Sequence, residues 1–410
     1  MARRNRWSAA AASLIILSFI GTLAYRSTIP VASFYARQTL GAAAFAVGGM
    51  TAAFYLARAG AALGSGYASS TARRAGALAA SSFAGHIVLV AYLASQPGYA
   101  GLLLIRGGQG VLNGLAWTAA QVMLASSTPT SWRGRAFALY GIAGSAGALL
   151  GDLLYASMGP RCLGVSAAAF AAASLIALLA SRRISPTPGS RHPDPRGRME
   201  RPGSGGHTPG ALTPLTLLAL VAGVSYVSVM GVGDIAYIYY KEVLHISASE
   251  TSALRGVAGF LGTLAGFGLG WLADIGGAYS SLVTSYAAVA AGALLVPVPH
   301  IYVAGLGIAL ITAAGRAMLP TARKVASEYP RGNVYLGYLG AASNVASAAG
   351  GLAYGYAYTA LGLRGLCIAG HCVVAAPLLA SAWALLLPPL LLGVDRLVRE
   401  KRGCPGGRAG

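Results

Sequence analysis

Residues 101–125, GLLLIRGGQGVLNGLAWTAAQVMLA, decide how the chain is read, because an apolar run long enough to cross a bilayer has an arginine set inside it. At about 100° per residue, Arg106, Gln109, Gly110, Asn113 and Trp117 share one helical face. Leu104, Val111, Leu115 and Val122 lie opposite. An arginine near a bilayer's centre costs ~2.5–3.5 kcal/mol on insertion scales, so the polar stripe is expected to face protein or a watery cavity. The next stretch, RGRAFALYGIAGSAGALLGDLLYASMG at 133–159, puts Gly141, Gly144, Gly147 and Gly151 on one arc, with Asp152 directly after. A ridge of small residues lets membrane helices approach backbone to backbone, where lipid offers no hydrophobic drive.

Outward from these two runs the pattern repeats. The chain has 410 residues, 56% of them hydrophobic and only 10% charged, which excludes an ordinary soluble protein. Twelve spans are expected, at 9–30, 40–64, 75–95, 100–125, 136–158, 163–181, 214–240, 252–272, 278–297, 300–320, 334–360 and 365–392. No short dyad pattern of the kind that builds a barrel recurs. The first run, after MARRNRW, is read as an uncleaved span, since no small-residue cleavage site follows it.

The net charge of +20 would point to nucleic acid in a soluble chain, but its placement argues for membrane topology. Arginines crowd alternate connections: Arg3, Arg4 and Arg6, then Arg73 and Arg74, Arg133 and Arg135, the run from Arg182 to Arg201, Arg323 and Lys324, Arg331, and the tail from Arg396. Both termini are therefore expected in the cytoplasm of a multi-pass plasma-membrane protein. The segment 182–213, rich in Pro, Gly and Arg, reads as a disordered linker between bundles at 1–181 and 214–393. Residues 394–410 read as a basic tail near the anionic leaflet. Parallels at an offset near 200, such as MGPRCLG from Met158 and LGLRGLC from Leu361, support two six-helix repeats.

RGGQGVLNG, the basic turn, and the glycine-studded helix after it resemble the fourth and fifth helices of the major facilitator superfamily. The resemblance implies twelve helices in two pseudo-symmetric six-helix bundles and a secondary transporter working by alternating access. It ties Arg106 to substrate or proton handling. It also implies a gating latch at the first turn of each half. GSGYASSTARRAG keeps Arg73 and Arg74 but has Ser69 and Ser70 where the family has Asp-Arg, while GFGLGWLADIGG keeps Gly270, Asp274 and Gly276 but lacks the arginines. Each half retains what the other has lost.

The distribution of charge agrees. The third, sixth, ninth and twelfth spans carry no Asp, Glu, Lys or Arg, as helices in contact with lipid require. The charges Arg26, Arg58, Arg106, Asp152, Asp234, Arg255 and Arg316 fall in spans one, two, four, five, seven, eight and ten. With Gln109, Asn113 and Asn344 they form the candidate substrate-binding or coupling set. Five arginines against two aspartates favour an organic or inorganic anion as substrate, although Arg26 and Arg255 could instead snorkel to the outer interface and Arg58 and Arg316 to the inner one. Asp152 and Asp234 are the candidates for proton coupling, each with a structural pairing to Arg106 or Arg26 as the alternative. Tyr237, Tyr239 and Tyr240 read as an aromatic belt at the outer interface.

His86 and His371 read as packed or interfacial, and His192 and His207 as solvated linker residues. Cys162, Cys367, Cys372 and Cys404 have no metal spacing and imply no disulfide framework. No metal or cofactor is expected, and the partners expected are a small-molecule substrate, protons and the bilayer, with the chain a monomer that does not bind nucleic acid. Convergent catalytic groups are missing, as is a GxxxxGK[ST] loop, so neither an enzyme nor a nucleotide-driven pump is expected. The nearest rival is a drug/proton antiporter. The family's antiporter pattern Gly-Pro-x-x-Gly-Gly is weakened here, because Ala148 stands where the proline would be and Asp152 where the last glycine would be. A non-transporting receptor is the lesser alternative.

Overall fold

The computed structural model describes residues 2–69, 71–129, 132–184, 213–327, 332–368 and 371–386. Six helices form the first half: α1 (Ala2–Phe34), α2 (Ala44–Ala68), α3 (Ala72–Ala94), α4 (Tyr99–Ser127), α5 (Arg133–Met158) and α6 (Cys162–Arg183). The second half comprises α7 (Pro214–Val232), α8 (Asp234–Leu244), α9 (Ala248–Ile275), α10 (Gly277–Leu295), α11 (Ile301–Ser327), α12 (Gly332–Leu361) and α13 (Ala375–Leu386). Among the described residues, seven helical segments are long and apolar enough to cross a membrane by length and composition. Most of the expected linker and all of the expected tail, at 185–212 and 394–410, lie outside the described residues.

Two expected spans are revised. The seventh, 214–240, is broken at Gly233, which is extended (φ −79°, ψ 165°) between α7 and α8. A Cβ there would stand 2.6 Å from Val229 Cγ1, so only glycine fits the break. The amide of Asp234, left without a helical acceptor, donates to Thr51 Oγ1 at 2.9 Å. The twelfth span does not begin at 365. Strands β1 (Gly365–Ile368) and β2 (His371–Val374) form an antiparallel hairpin with Cys367 opposite Cys372, and the helix starts only at Ala375. Val374 N donates to Pro297 O and Ala375 N to Arg364 O, which ties the hairpin to its surroundings.

Local chemistry sets the remaining ends. Thr71 caps α3 by accepting from Arg74 N, Thr213 caps α7 with Pro214 in its first turn, and Ser247 and Glu250 form a reciprocal capping box on α9. Gly159 and Gly362 close α5 and α12 with φ of +59° and +58°. They occupy matching places in the repeat noted between Met158 and Leu361.

The expected glycine ridge of α5 packs on α1: a Cβ on Gly147 would fall 2.1 Å from Phe19 O, and one on Gly151 2.6 Å from Leu23 O. The third, sixth and ninth spans, all charge-free, are peripheral. α3 packs on α4 and α6, α6 on α1 and α3, and α10 on α9 and α11. Leu104 and Val111 of α4 are exposed on the lipid-facing side, while Arg106, Gln109, Gly110 and Asn113 are buried, as the stripe required.

The halves meet along two seams, α2 with α12 and α5 with α9. Where α2 meets α12, Gly48 has no room for a side chain, because a Cβ would stand 2.1 Å from Gly351 O. This contact lies near the face that carries residues 40–43 and 362–364, called here the loop face. The other face, which carries the start of α1, is called the terminal face. α4 packs on α1, α2 and α3, and α11 on α7, α9, α10 and α12, each within its own half. Between α4 and α11 the gap is therefore left without helix packing towards the terminal face, while α5 and α9 stay in contact on that side, where a Cβ on Gly141 would stand 3.3 Å from Phe267.

Candidate functional site

A buried layer of charge fills the gap just beneath the loop-face closure. Asp152 of α5 is fully buried and accepts from Arg26 Nη2 at 2.6 Å and from the Tyr237 hydroxyl at 2.5 Å. Its backbone carbonyl accepts from Ser252 Oγ of α9 at 2.9 Å, so one residue is bound from both halves. Asp234, also fully buried, sits at the first position of α8, where the helix N-terminus favours a negative charge. It accepts from Arg106 Nη2 at 2.9 Å, Thr51 Oγ1 at 3.0 Å and Ser33 Oγ at 3.1 Å, three donors from the first half. Arg106 is held in turn by Gln109 Oε1 at 2.6 Å, and its guanidinium carbon lies 5.0 Å from the Phe54 ring centroid. Gln109 Nε2 donates to Thr28 Oγ1 at 3.2 Å.

Arg255 is the odd cation. It is fully buried, yet among the described residues the one acceptor it meets is Gly231 O, 2.7 Å from Nη2, while Nε and Nη1 have no partner there. Its guanidinium carbon stacks 3.6 Å from the centroid of Tyr237, the same tyrosine whose hydroxyl is given to Asp152. The layer thus holds three buried guanidiniums, Arg26, Arg106 and Arg255, against two carboxylates. Arg26 and Arg255 do not snorkel. The tyrosines at 237, 239 and 240 do not form an interfacial belt either: all three are buried, because the break at Gly233 turns α8 inward against α1, α2, α9 and α12.

At the loop face a second ion pair clasps the halves. Arg37 Nε meets Glu242 Oε1 at 2.7 Å, and the Tyr358 hydroxyl donates to Glu242 Oε2 at 2.6 Å. Both charged side chains are partly exposed, beside a cleft of about 320 Å³ lined also by Thr359 and Leu363.

The remaining expected residues lie apart from this layer. Asn113 is buried one turn beyond Gln109, and Asn344 is half-buried, bonded to Gly340 O of its own helix. Arg58 is half-buried and Arg316 exposed, and neither has an ion-pair partner among the described residues. Arg73 and Arg74 are exposed at the start of α3, far along the chain from Gly270 on α9, and the Asp274 side chain lies outside what is described. His86 is buried and stacked on Phe170, centroids 4.6 Å apart, in the packed role expected of it. Among the described residues no cluster could hold a metal ion.

Sequence reasoning missed Thr51, Ser252 and the Arg37–Glu242 clasp, placed Tyr237 at the outer interface, and set Ser33 on the face of Arg26 without giving it a role. Glu242 carried a usable signal, since it follows Lys241 at the end of a span whose other acid, Asp234, was already singled out.

Two halves built around a buried charged layer, joined at the loop face and parted between α4 and α11 towards the other, define the architecture of a membrane transporter. The sequence profile of the Major Facilitator Superfamily matches residues 14–334, and the chain belongs to that superfamily. No curated protein matches it. Among solved structures, it is similar to a variant of the nucleoside transporter NupG (TM-score 0.69, 13% identity, 94% of this chain and 99% of that one). It is likewise similar to a peptide transporter POT in complex with alafosfalin (0.70, 12%, 95% of both chains). A bacterial homologue of the human lysosomal transporter Spinster, in an inward-facing and unoccupied conformation, aligns at 0.61 and 18% identity over 96% of both chains.

Proposed function

We propose that this transporter moves a small organic anion by alternating access and couples the movement to protons through Asp234. The observation that carries this reading is the buried layer with one more guanidinium than carboxylate, linked across the halves by Arg106–Asp234 and Tyr237–Asp152. A carboxylate that bridges the halves can act as a switch: once protonated it releases Arg106, and the loop-face closure loses its central tie. A substrate anion offers Arg106 or Arg255 the counter-charge that protonation takes away. The arrangement of positive charge along the chain supports cytoplasmic termini, so the open gap faces inward. The chain is taken to work as a monomer, with bundles at 1–181 and 214–393 joined by the linker 182–213.

The test is uptake into proteoliposomes with an imposed pH gradient. Organic anions should accumulate when the gradient is present and only equilibrate when it is collapsed. Uptake indifferent to the gradient removes the proton, and growth protection against lipophilic cations on expression would replace the anion reading with drug efflux.

A further inference from the structure

Between the charged layer and the terminal face, the gap is lined by cations with no ion-pair partner among the described residues. Arg58 comes from α2 in the first half, and Arg316 and Arg323 from α11 in the second. Arg58 lies near enough to repel both. Arg316 stands mid-way along α11, about 22 Å from its loop-face end at 1.5 Å per residue. Its side chain is exposed, and its electrostatic neighbours Arg26, Tyr55 and Arg58 all belong to the opposite half. It therefore points across the gap and not at lipid. Its Cβ is seated against α9, 2.7 Å from where a Cβ on Gly266 would stand, so no bulkier residue at 266 leaves it this course. Arg323, also exposed, sits one turn from the end of α11, at the mouth. The described carboxylate side chains, Asp152, Asp234, Glu242 and Glu250, all lie towards the loop face.

We propose that this chamber binds small organic anions carrying at least two negative charges, clamped between Arg58 and Arg316, with Arg323 drawing them in. The proposal rests on the anion reading above and sharpens it from the sign of the charge to its number. Two guanidinium forks supplied by different halves at like depth, about four turns into α2 and into α11, match a ligand with oxygen atoms on both sides, such as a phosphate ester or a dicarboxylate. Like charges across an empty gap push the halves apart. A dianion turns that repulsion into attraction from both sides, so filling the chamber favours its closure, whereas a monoanion leaves one cation uncompensated.

Purified full-length protein is titrated calorimetrically with glycerol phosphate, inorganic phosphate, succinate, lactate and glycerol. The dianions should bind at least about tenfold more tightly than lactate or glycerol, and Arg58→Gln or Arg316→Gln should weaken them by about tenfold or more. Arg58→Lys and Arg316→Lys, which keep the charge, should recover part of that loss, and size-exclusion profiles report whether each variant is folded. Phosphate and succinate arms tell which group the clamp prefers. Equal binding across the panel, no binding by any member, or dianion affinity indifferent to both Gln variants overturns the proposal. Counterflow in proteoliposomes keeps the two readings apart. A dianion that binds yet never crosses defeats transport of anions and leaves the site standing, while a dianion carried at full rate by both Gln variants does the reverse.

Discussion

The loop-face half and the terminal-face half of the gap handle the same residue type in opposite ways. Above, Arg26, Arg37 and Arg106 each meet a carboxylate, two of those pairs joining one half of the molecule to the other. Below, Arg58, Arg316 and Arg323 meet none among the described residues. Paired charge ties the halves at the loop face, and among the described residues no such tie is found towards the terminal face. Arg255 belongs to the upper layer by position and to the lower by having no carboxylate partner among the described residues.

The contrast breaks most sharply at Asp234. Asp234→Asn leaves Arg106 buried without its carboxylate, which should cost roughly 3–5 kcal/mol, lower the thermal midpoint and abolish gradient-driven uptake. Adding Arg106→Gln should restore part of the midpoint and none of the uptake. A single variant indistinguishable from the parent in both measurements would mean that the pair does not tie the halves. A smaller effect is expected at the α2–α12 seam. Gly48→Val forces a side chain into backbone contact at an estimated cost of about 1–3 kcal/mol and should bias the protein towards opening at the loop face. On a background lacking the native cysteines, Ser33→Cys should then react faster with an impermeant thiol reagent added from that side. The smallest effect belongs to the exposed clasp. Glu242→Gln removes a partly solvated pair worth roughly 0.2–1 kcal/mol, so the same labelling assay should register only a modest rise that added salt reproduces in the parent.

How much of this was legible in the sequence depends on whether the information was local. The α4 stripe, the α5 ridge and the bland third, sixth and ninth spans could be read because helical period and lipid contact act residue by residue. The pairing of Asp152 with Arg26 and of Asp234 with Arg106 was one of several arrangements open to those residues, since positions more than a hundred apart record no address for each other. Tyr237 was misread for a chemical reason: a tyrosine at a headgroup and a tyrosine buried against an acid present the same apolar ring and polar tip. The break at Gly233 was hidden by the hydrophobic residues around it, and recognising it turns α8 inward and brings Tyr237 to Asp152.

Where α2 crosses α12, Gly48 and Gly351 bring main chain against main chain, with the Thr51 side chain set against Gly351 and the Phe45 ring against Tyr356. A joint of that kind is a rail with two catches. It parts only as those side chains let go, so the seam shares the pace of the cycle with the ionic ties on either side of it.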